Sequence, residues 1–236
     1  MFMGRSRSWG SFYLRDNGTM QPEMLPLFPL RAVLFPRTQI PLHIFEDRYK
    51  EMIGEAIRNK SEFGIVLAAE KGIVGTGCTA VVEEVTQTYP DGRMDILVVG
   101  VRRFEIVDLD TEKSYLRGSV DFFNDDETDK PADDLLERAL KGYGELKEFF
   151  GSESAPDPKL EDPQLSFQLA QLVADVEFRQ RLLASRSERE RMRQLVEFLP
   201  GHVEQQRHAW HVRTVAPWNG RGPQASIPSS GPSSGS

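Results

Sequence analysis

The stretch LPLFPLRAVLFPRTQIPLHIFEDRYKEM, from Leu25 to Met52, decides the fold. Proline removes a backbone donor, so within a sheet it is confined to edges, strand starts and bulges. A chain that sets Pro26, Pro29, Pro36 and Pro41 among large apolar residues is specifying a particular strand topology. PLFPLRAVLF and QIPLHIF read as two strands joined at Pro36-Arg37-Thr38. A helix is expected from Glu46 to Lys60. Its Tyr49, Met52, Ile53, Ala56 and Ile57 recur three and four residues apart as one apolar stripe.

Working outward, FGIVLAA is a short apolar strand. GIVGTGCTAVVEEVTQTYP is a longer one, with Gly72, Gly75 and Gly77 where it must bend or bulge. Asp91-Gly92, inside Tyr89–Arg93, supplies the positive φ of a tight hairpin. MDILVVGVRRFEIVDLD follows, with a break expected near Gly100, and YLRGSVDFF is the last strand. Several strands at short spacing with one early helix indicate a curled, barrel-like sheet.

After the acidic turn Asn124–Glu127 the pattern is helical. Leu135, Leu136, Ala139, Leu140, Tyr143, Leu146 and Phe150 share one helical spacing, with Gly151 as the expected C-cap. Asp162-Pro163 opens a second helix, with Leu165, Leu169, Leu172, Val173 and Val176 on one face. Ser187 and Glu190 have capping-box spacing, and that last helix is expected to stop at Pro200-Gly201. The domain reading is thus a disordered leader over 1–23, a β-rich subdomain over 24–126, a helical subdomain over 127–212, and a disordered Gly/Pro/Ser tail over 213–236. Met20 or Met24 is an alternative start.

Of the 236 residues, 39% are hydrophobic, enough for a sizeable core. The 36 acidic residues outnumber the 29 basic ones, for a net charge of -7. That balance argues against nucleic acid as the main partner, because phosphate binding needs a basic field. The single cysteine, Cys78, excludes an internal disulfide and a cysteine-based zinc site, and suits a reducing, cytoplasmic setting. No stretch has the length and apolarity of a membrane-spanning helix, and the N-terminus has no signal-peptide h-region.

The order of these pieces resembles the N-terminal, substrate-binding domain of ATP-dependent Lon proteases. The resemblance is carried by LPLFPLRAVLFP, IPLHIFEDRYKEMI, the PDGR hairpin, VGVRRFEI and YLRG, and more weakly by RQRLLASRSERERMRQLVEFL. It covers Leu25 to Arg207. It implies an α+β fold: a PUA-like β pseudo-barrel with one early helix, followed by a helical bundle. Pro26, Phe28, Pro29, Pro36, Phe45, Glu46, Arg48, Tyr49, Asp91, Gly92, Arg103 and Phe104 fall on the family's structural motif. The family domain captures unfolded or tagged protein segments and delivers them to an ATPase and a protease. This sequence has no GxxxxGK[ST] phosphate loop. Gly231-Pro232-Ser233-Ser234-Gly235 is similar to the family's catalytic-serine motif, but a nucleophilic serine needs a folded base beside it. The expectation is therefore a stand-alone, non-catalytic module without cofactor or metal, and a peptidase label would describe its full-length relatives. Two other classes stay open: a small-ligand sensor or adaptor using the crevice between barrel and helices, and an RNA-binding PUA-like protein.

Among candidate residues, Glu46, Arg48 and Tyr49 beside Arg102, Arg103 and Phe104 form either a ligand clamp or, the simpler reading, an ion pair such as Glu46 with Arg103 fastening the first helix to the barrel. His43 reads as structural. His208 and His211 do not complete a zinc site. The run Arg179, Arg181, Arg186, Arg189, Arg191 and Arg193 reads as a solvated helical face. In MDILVVGV both strand faces are apolar. Buried core is the simpler account of all of it. The alternative is an exposed apolar patch at Pro41, Leu97 and Val99 that holds unfolded segments by undirected contact.

Overall fold

The structure, a computed structural model, describes residues 12–14, 20–22, 24–126, 130–150 and 157–215. Strands β1 (Phe12–Leu14) and β2 (Met20–Pro22) pair as a two-stranded antiparallel ribbon. The rest of the expected leader, Gly151 and the tail beyond 215 lie outside the described residues.

The main sheet has six strands: β3 (Leu25–Leu30), β4 (Gln39–Ile44), β5 (Phe63–Ala69), β6 (Gly72–Thr88), β7 (Met94–Asp110) and β8 (Arg117–Phe123). They lie in the order β4-β7-β6-β5-β3-β8, and β7 also pairs with β8. That extra pairing closes β7-β6-β5-β3-β8 into a ring and leaves β4 outside it, paired among the described strands with β7 alone. β7 serves both neighbours because it is long. Residues 94–99 face β4, and residues 103–110 face β8. The β3–β5 pairing is parallel, with helix α1 (Asp47–Asn59) in the connection between them.

The first strand ends earlier than the apolar run suggests. β3 stops at Leu30, and Val33, Leu34, Phe35 and Pro36 are buried without strand pairing. Gly100 holds this segment. Gly100 N–H donates to Thr38 O at 2.9 Å, and Arg37 N–H to Gly100 O at 2.8 Å. β7 runs through Gly100 unbroken, its pairing with β6 shifting register nearby. On α1 the expected stripe is buried at Tyr49, Met52, Ile53 and Ala56, and Ile57 is partly exposed. The hairpin turn is formed, with Gly92 at φ +82.

The helical half comprises α2 (Asp133–Phe150), α3 (Leu165–Leu169) with a 3-10 turn at Ala170–Leu172, α4 (Val176–Ala184) and α5 (Glu188–Val215). The expected continuous helix from Asp162 through Val176 is broken. Asp175 leaves the helical region and caps α4 by accepting from Phe178 N–H, at 2.6 Å. α5 does not stop at Pro200. It continues because His202 and Val203 beyond it are buried in the core. Barrel and helical residues share one hydrophobic core, so the two halves are not separately packed units. Phe35 stacks on Phe167 with centroids 4.9 Å apart.

Candidate functional site

Side chains alternate across a strand, so β4 and β7 each divide into an inner and an outer row. Inward, Ile44, Ile96 and Val98 are buried. Outward, the register sets Gln39 opposite Val99, Pro41 opposite Leu97 and His43 opposite Asp95. Pro41 is exposed, and Leu97 and Val99 are half-buried. Val81 of β6 lies opposite Val99, and Val101, further along the row, is 39% exposed. The three residues Pro41, Leu97 and Val99 therefore meet on one accessible apolar strip. Pro41 sits on β4, the strand of the main sheet that lies outside the closed ring, where a missing backbone donor is tolerated and where it also blunts strand-on-strand pairing.

Polar groups border the strip. His43 Nδ1–H donates to Asp95 Oδ1 at 2.5 Å, and Tyr89 O–H to Asp95 Oδ2 at 2.8 Å. The bonds from His43 and then Tyr89 hold the Asp95 carboxyl below its ordinary range, and Asp95 in turn pushes the Tyr89 phenol up. The His43 ring lies 5.9 Å from that of Phe45, which is 59% exposed, and 6.0 Å from that of Tyr89. His43 is thus a surface group positioned by Asp95, not a core histidine. No hydroxyl or thiol is hydrogen-bonded to it among the described residues. At the opposite border Gln39 reaches across β7 to bond Glu83.

The expected Glu46–Arg103 pair does not form. Glu46 pairs with Arg48 at 2.7 Å, and Arg48 lies over the Tyr49 ring. Arg103 is 2% exposed and turns toward the helical half. It donates to Leu183 O at 3.1 Å, Ser185 O at 2.5 Å and Asp125 Oδ1 at 2.6 Å. The reason is position: Arg103 follows the switch of β7 from β4 to β8, so its side chain enters the seam with the helices. Arg191 meets it there. Arg191 is fully buried, binding Asp125 and Glu188, with Ser166 bonded to its Nε. This corrects the reading of the arginine run as wholly solvated. Arg193 does fit it, pairing with Glu190 and Glu197 on the surface. Arg186 crosses to Glu105 on β7, and Arg179 donates to Val33 O.

The remaining motif residues lie in the core, in β3 and at the hairpin. Phe28 packs edge-on against Tyr49, with centroids 4.3 Å apart. Phe104 is buried beneath Gly64 and Gly77, Pro36 is buried, and Pro26 and Pro29 are half-buried in β3. Asp91 and Gly92 form the exposed hairpin turn. A cleft of about 410 Å3 lies between α4 and α5, lined by Phe178, Arg181, Arg193, Glu197 and Phe198. It is on the helical half, and the Arg103–Arg191 network lies at the barrel–helix seam. Among the described residues no group of three metal-ligating side chains converges, and no helix is long and apolar enough to cross a membrane. Ser233 lies outside the described residues.

A family model described as the ATP-dependent protease La (LON) substrate-binding domain matches residues 24–200. The Lon protease of Parabacteroides distasonis is 32% identical over 117 residues, covering 46% of this chain and 14% of that protein. The Lon protease of Syntrophus aciditrophicus is 27% identical over 200 residues, covering 74% of this chain and 24% of that protein. The chain thus spans about a quarter or less of the length of these relatives. The crystal structure of a Lon N-terminal domain protein from Xanthomonas campestris superimposes with a TM-score of 0.61 at 25% identity, covering 75% of this chain and 98% of that one. The N-terminal domain of a Mycobacterium avium complex Lon protease gives 0.54 at 18% identity, covering 76% and 100%, a likeness of fold.

Proposed function

The chain belongs to the Lon substrate-binding domain family, and from that premise we propose that it is a non-catalytic module that binds unfolded or tagged protein segments. Pro41, Leu97 and Val99 are the contact surface. The observation that carries this reading is the accessible apolar strip on the outer face of β4 and β7, with Pro41 directly opposite Leu97. Apolar contact without directional bonds suits a binder that must accept many sequences. The alternation of side chains along β7 sets Leu97 and Val99 on the outer side of the closed ring, while Ile96 and Val98 fill its inner side. The module acts in the cytoplasm as an accessory to proteolysis or quality control, presenting segments to a proteolytic machine.

The test is a titration of the protein with an unfolded model protein, followed residue by residue by NMR. Shifts concentrated at residues 39–43 and 95–101 are expected. No shifts at saturating concentration would remove the proposal.

A further inference from the structure

The strip has a charge character that its apolar centre does not require. Carboxylates stand on its borders. Glu83 and Glu84 sit at the β6 bulge opposite Leu97, both exposed, with Glu83 held over the face by Gln39. Asp95 stands at the other border, a third of its side chain exposed. No lysine or arginine occurs in β4, in β6 or in residues 94–101 of β7. Two cations stand at the hairpin end: Arg93, engaged by Asp91 at 2.7 Å, and Lys50 of α1, which donates to Asp47 Oδ1 at 3.1 Å and to Asp91 O at 3.3 Å. His43 and Tyr89, the other ionisable groups beside the strip among the described residues, are both already bonded to Asp95.

We infer that the occupant of this face is an extended segment of another protein in which lysine or arginine residues alternate with or flank apolar ones. The inference rests on the binding role proposed above and narrows its substrate class. In an extended segment, successive side chains point to opposite sides, and residues two apart are close to 7 Å apart. Apolar side chains can then lie over Pro41, Leu97 and Val99 while flanking cations reach Glu83, Glu84 and Asp95. Exposed ion pairs are individually weak, so the face discriminates by a modest factor rather than by exclusion. The same carboxylates repel acidic segments, and this selects as much as the attraction does. Because Pro41 blunts the edge of β4, the segment is held by side chains over the face and not by an added strand ladder.

The experiment compares three peptides with the same leucine positions and with lysine, serine or glutamate between them, measured by fluorescence anisotropy against the full chain. The lysine peptide is expected to bind roughly threefold to tenfold tighter than the serine one at low salt, and the glutamate peptide to bind weaker by a similar factor. The spread should shrink as salt rises, since these are exposed charges. Glu83→Gln with Glu84→Gln should compress the spread, whereas Asp133→Asn with Asp134→Asn on α2, which changes net charge equally, should not. Equal affinity for all three peptides, each lost in Leu97→Asp, would overturn the charge preference and leave the face as a binding site. No binding by any peptide would sink the preference and the binding role together. A dimer in sedimentation that dissolves in Leu97→Asp would show that a second copy is the occupant, and would overturn the inference.

Discussion

Arg191 of α5 and Asp125 at the end of the barrel are joined by two parallel hydrogen bonds of 2.6 Å, Nη1 to Oδ1 and Nη2 to Oδ2. This fork-to-fork geometry is the strongest arrangement available to an arginine and a carboxylate. Asp125 Oδ1 also accepts from Arg103 of β7, at 2.6 Å. One carboxylate therefore ties the barrel to the last helix. Neither arginine reaches solvent: their side chains are 1% and 0% exposed.

Removing that carboxylate leaves two buried guanidinium groups facing one another. Burial, together with the like charge of Arg191, already pulls the Arg103 guanidinium down, and Asp125 opposes this. Asp125→Asn keeps the shape and deletes the charge. It should cost about 3 kcal/mol, the scale of a broken buried pair. Urea unfolding monitored by circular dichroism measures it. A variant within about 0.5 kcal/mol of the parent, the range of ordinary surface substitutions, would show that the network does not hold the halves together.

Acid should unfold the protein in two stages. Burial alone would raise the pKa of Asp125, but hydrogen bonds from Arg191 and Gln164 and the charges of both arginines outweigh it and hold the carboxyl at about 2. Its unfolded value is about 3.9, so this stability is present above about pH 4 and is lost as pH falls toward 2. His202 acts earlier. Burial, against a weaker pull from Asp175, holds its imidazole below the ordinary 6.5, and its Nε2 accepts from Ala174 N–H. The unfolded chain then takes up this proton first, so stability falls as pH drops below about 6.5. Melting temperatures across pH 8 to 3 should show the early decline, and His202→Gln should flatten it. An unchanged slope in that variant would clear His202 of the effect.

Leu97→Asp should separate binding from folding. Its side chain is half-buried on the outer row, so the charge remains solvated and the loss should be about 1 kcal/mol. Val98→Asp, one residue on, points inward at 0% exposure and should not fold. A folded Leu97→Asp protein that gives no shifts with an unfolded model protein fits the proposed surface. Unfolding of Leu97→Asp would mean that the outer row belongs to the core.

What was legible in the sequence followed from local rules. The Asp91-Gly92 turn needs a positive φ, and the α1 stripe repeats at helical spacing, so both are visible within a few residues. Pro41 announces a strand at the sheet's edge, because proline has no donor to offer a second neighbour. Ser187 accepts from Glu190 N–H as its spacing foretold, although the Glu190 side chain turns to Arg193 and Gln194 instead of reaching back. The burial of Arg191 was not legible. It stands in the charged run Glu188–Arg193, interrupted only by Met192, and its partner Asp125 lies in what reads as a surface turn, so the decisive contact is made only once β7 and α5 are brought together. The half-exposure of Leu97 was equally hidden. An apolar face on both sides of a strand is compatible with core, and only the closure of the ring without β4 leaves the outer side uncovered.

Gly100 should be intolerant of any side chain, and its replacement should damage the binding face as well as stability. A Cβ there would stand 2.1 Å from Phe35 O, far inside contact distance, and 3.1 Å from the Leu34 side chain. The atom it meets is backbone, so it cannot swing away. The segment it would displace, residues 33–38, carries Phe35 onto Phe167 and feeds directly into β4. Gly100→Ala should therefore cost about 2–3 kcal/mol, in the range of overpacked cores. It should also shift the NMR resonances of residues 39–43 and weaken binding of an unfolded model protein under conditions where the variant is still folded. Gly75→Ala is the control: a Cβ there meets nothing within 4 Å, and its cost should be within about 0.5 kcal/mol. If Gly100→Ala binds as tightly as the parent, the 33–38 segment does not set the position of β4, and its three anchors to the helical half, at Val33, Phe35 and Arg37, serve stability alone.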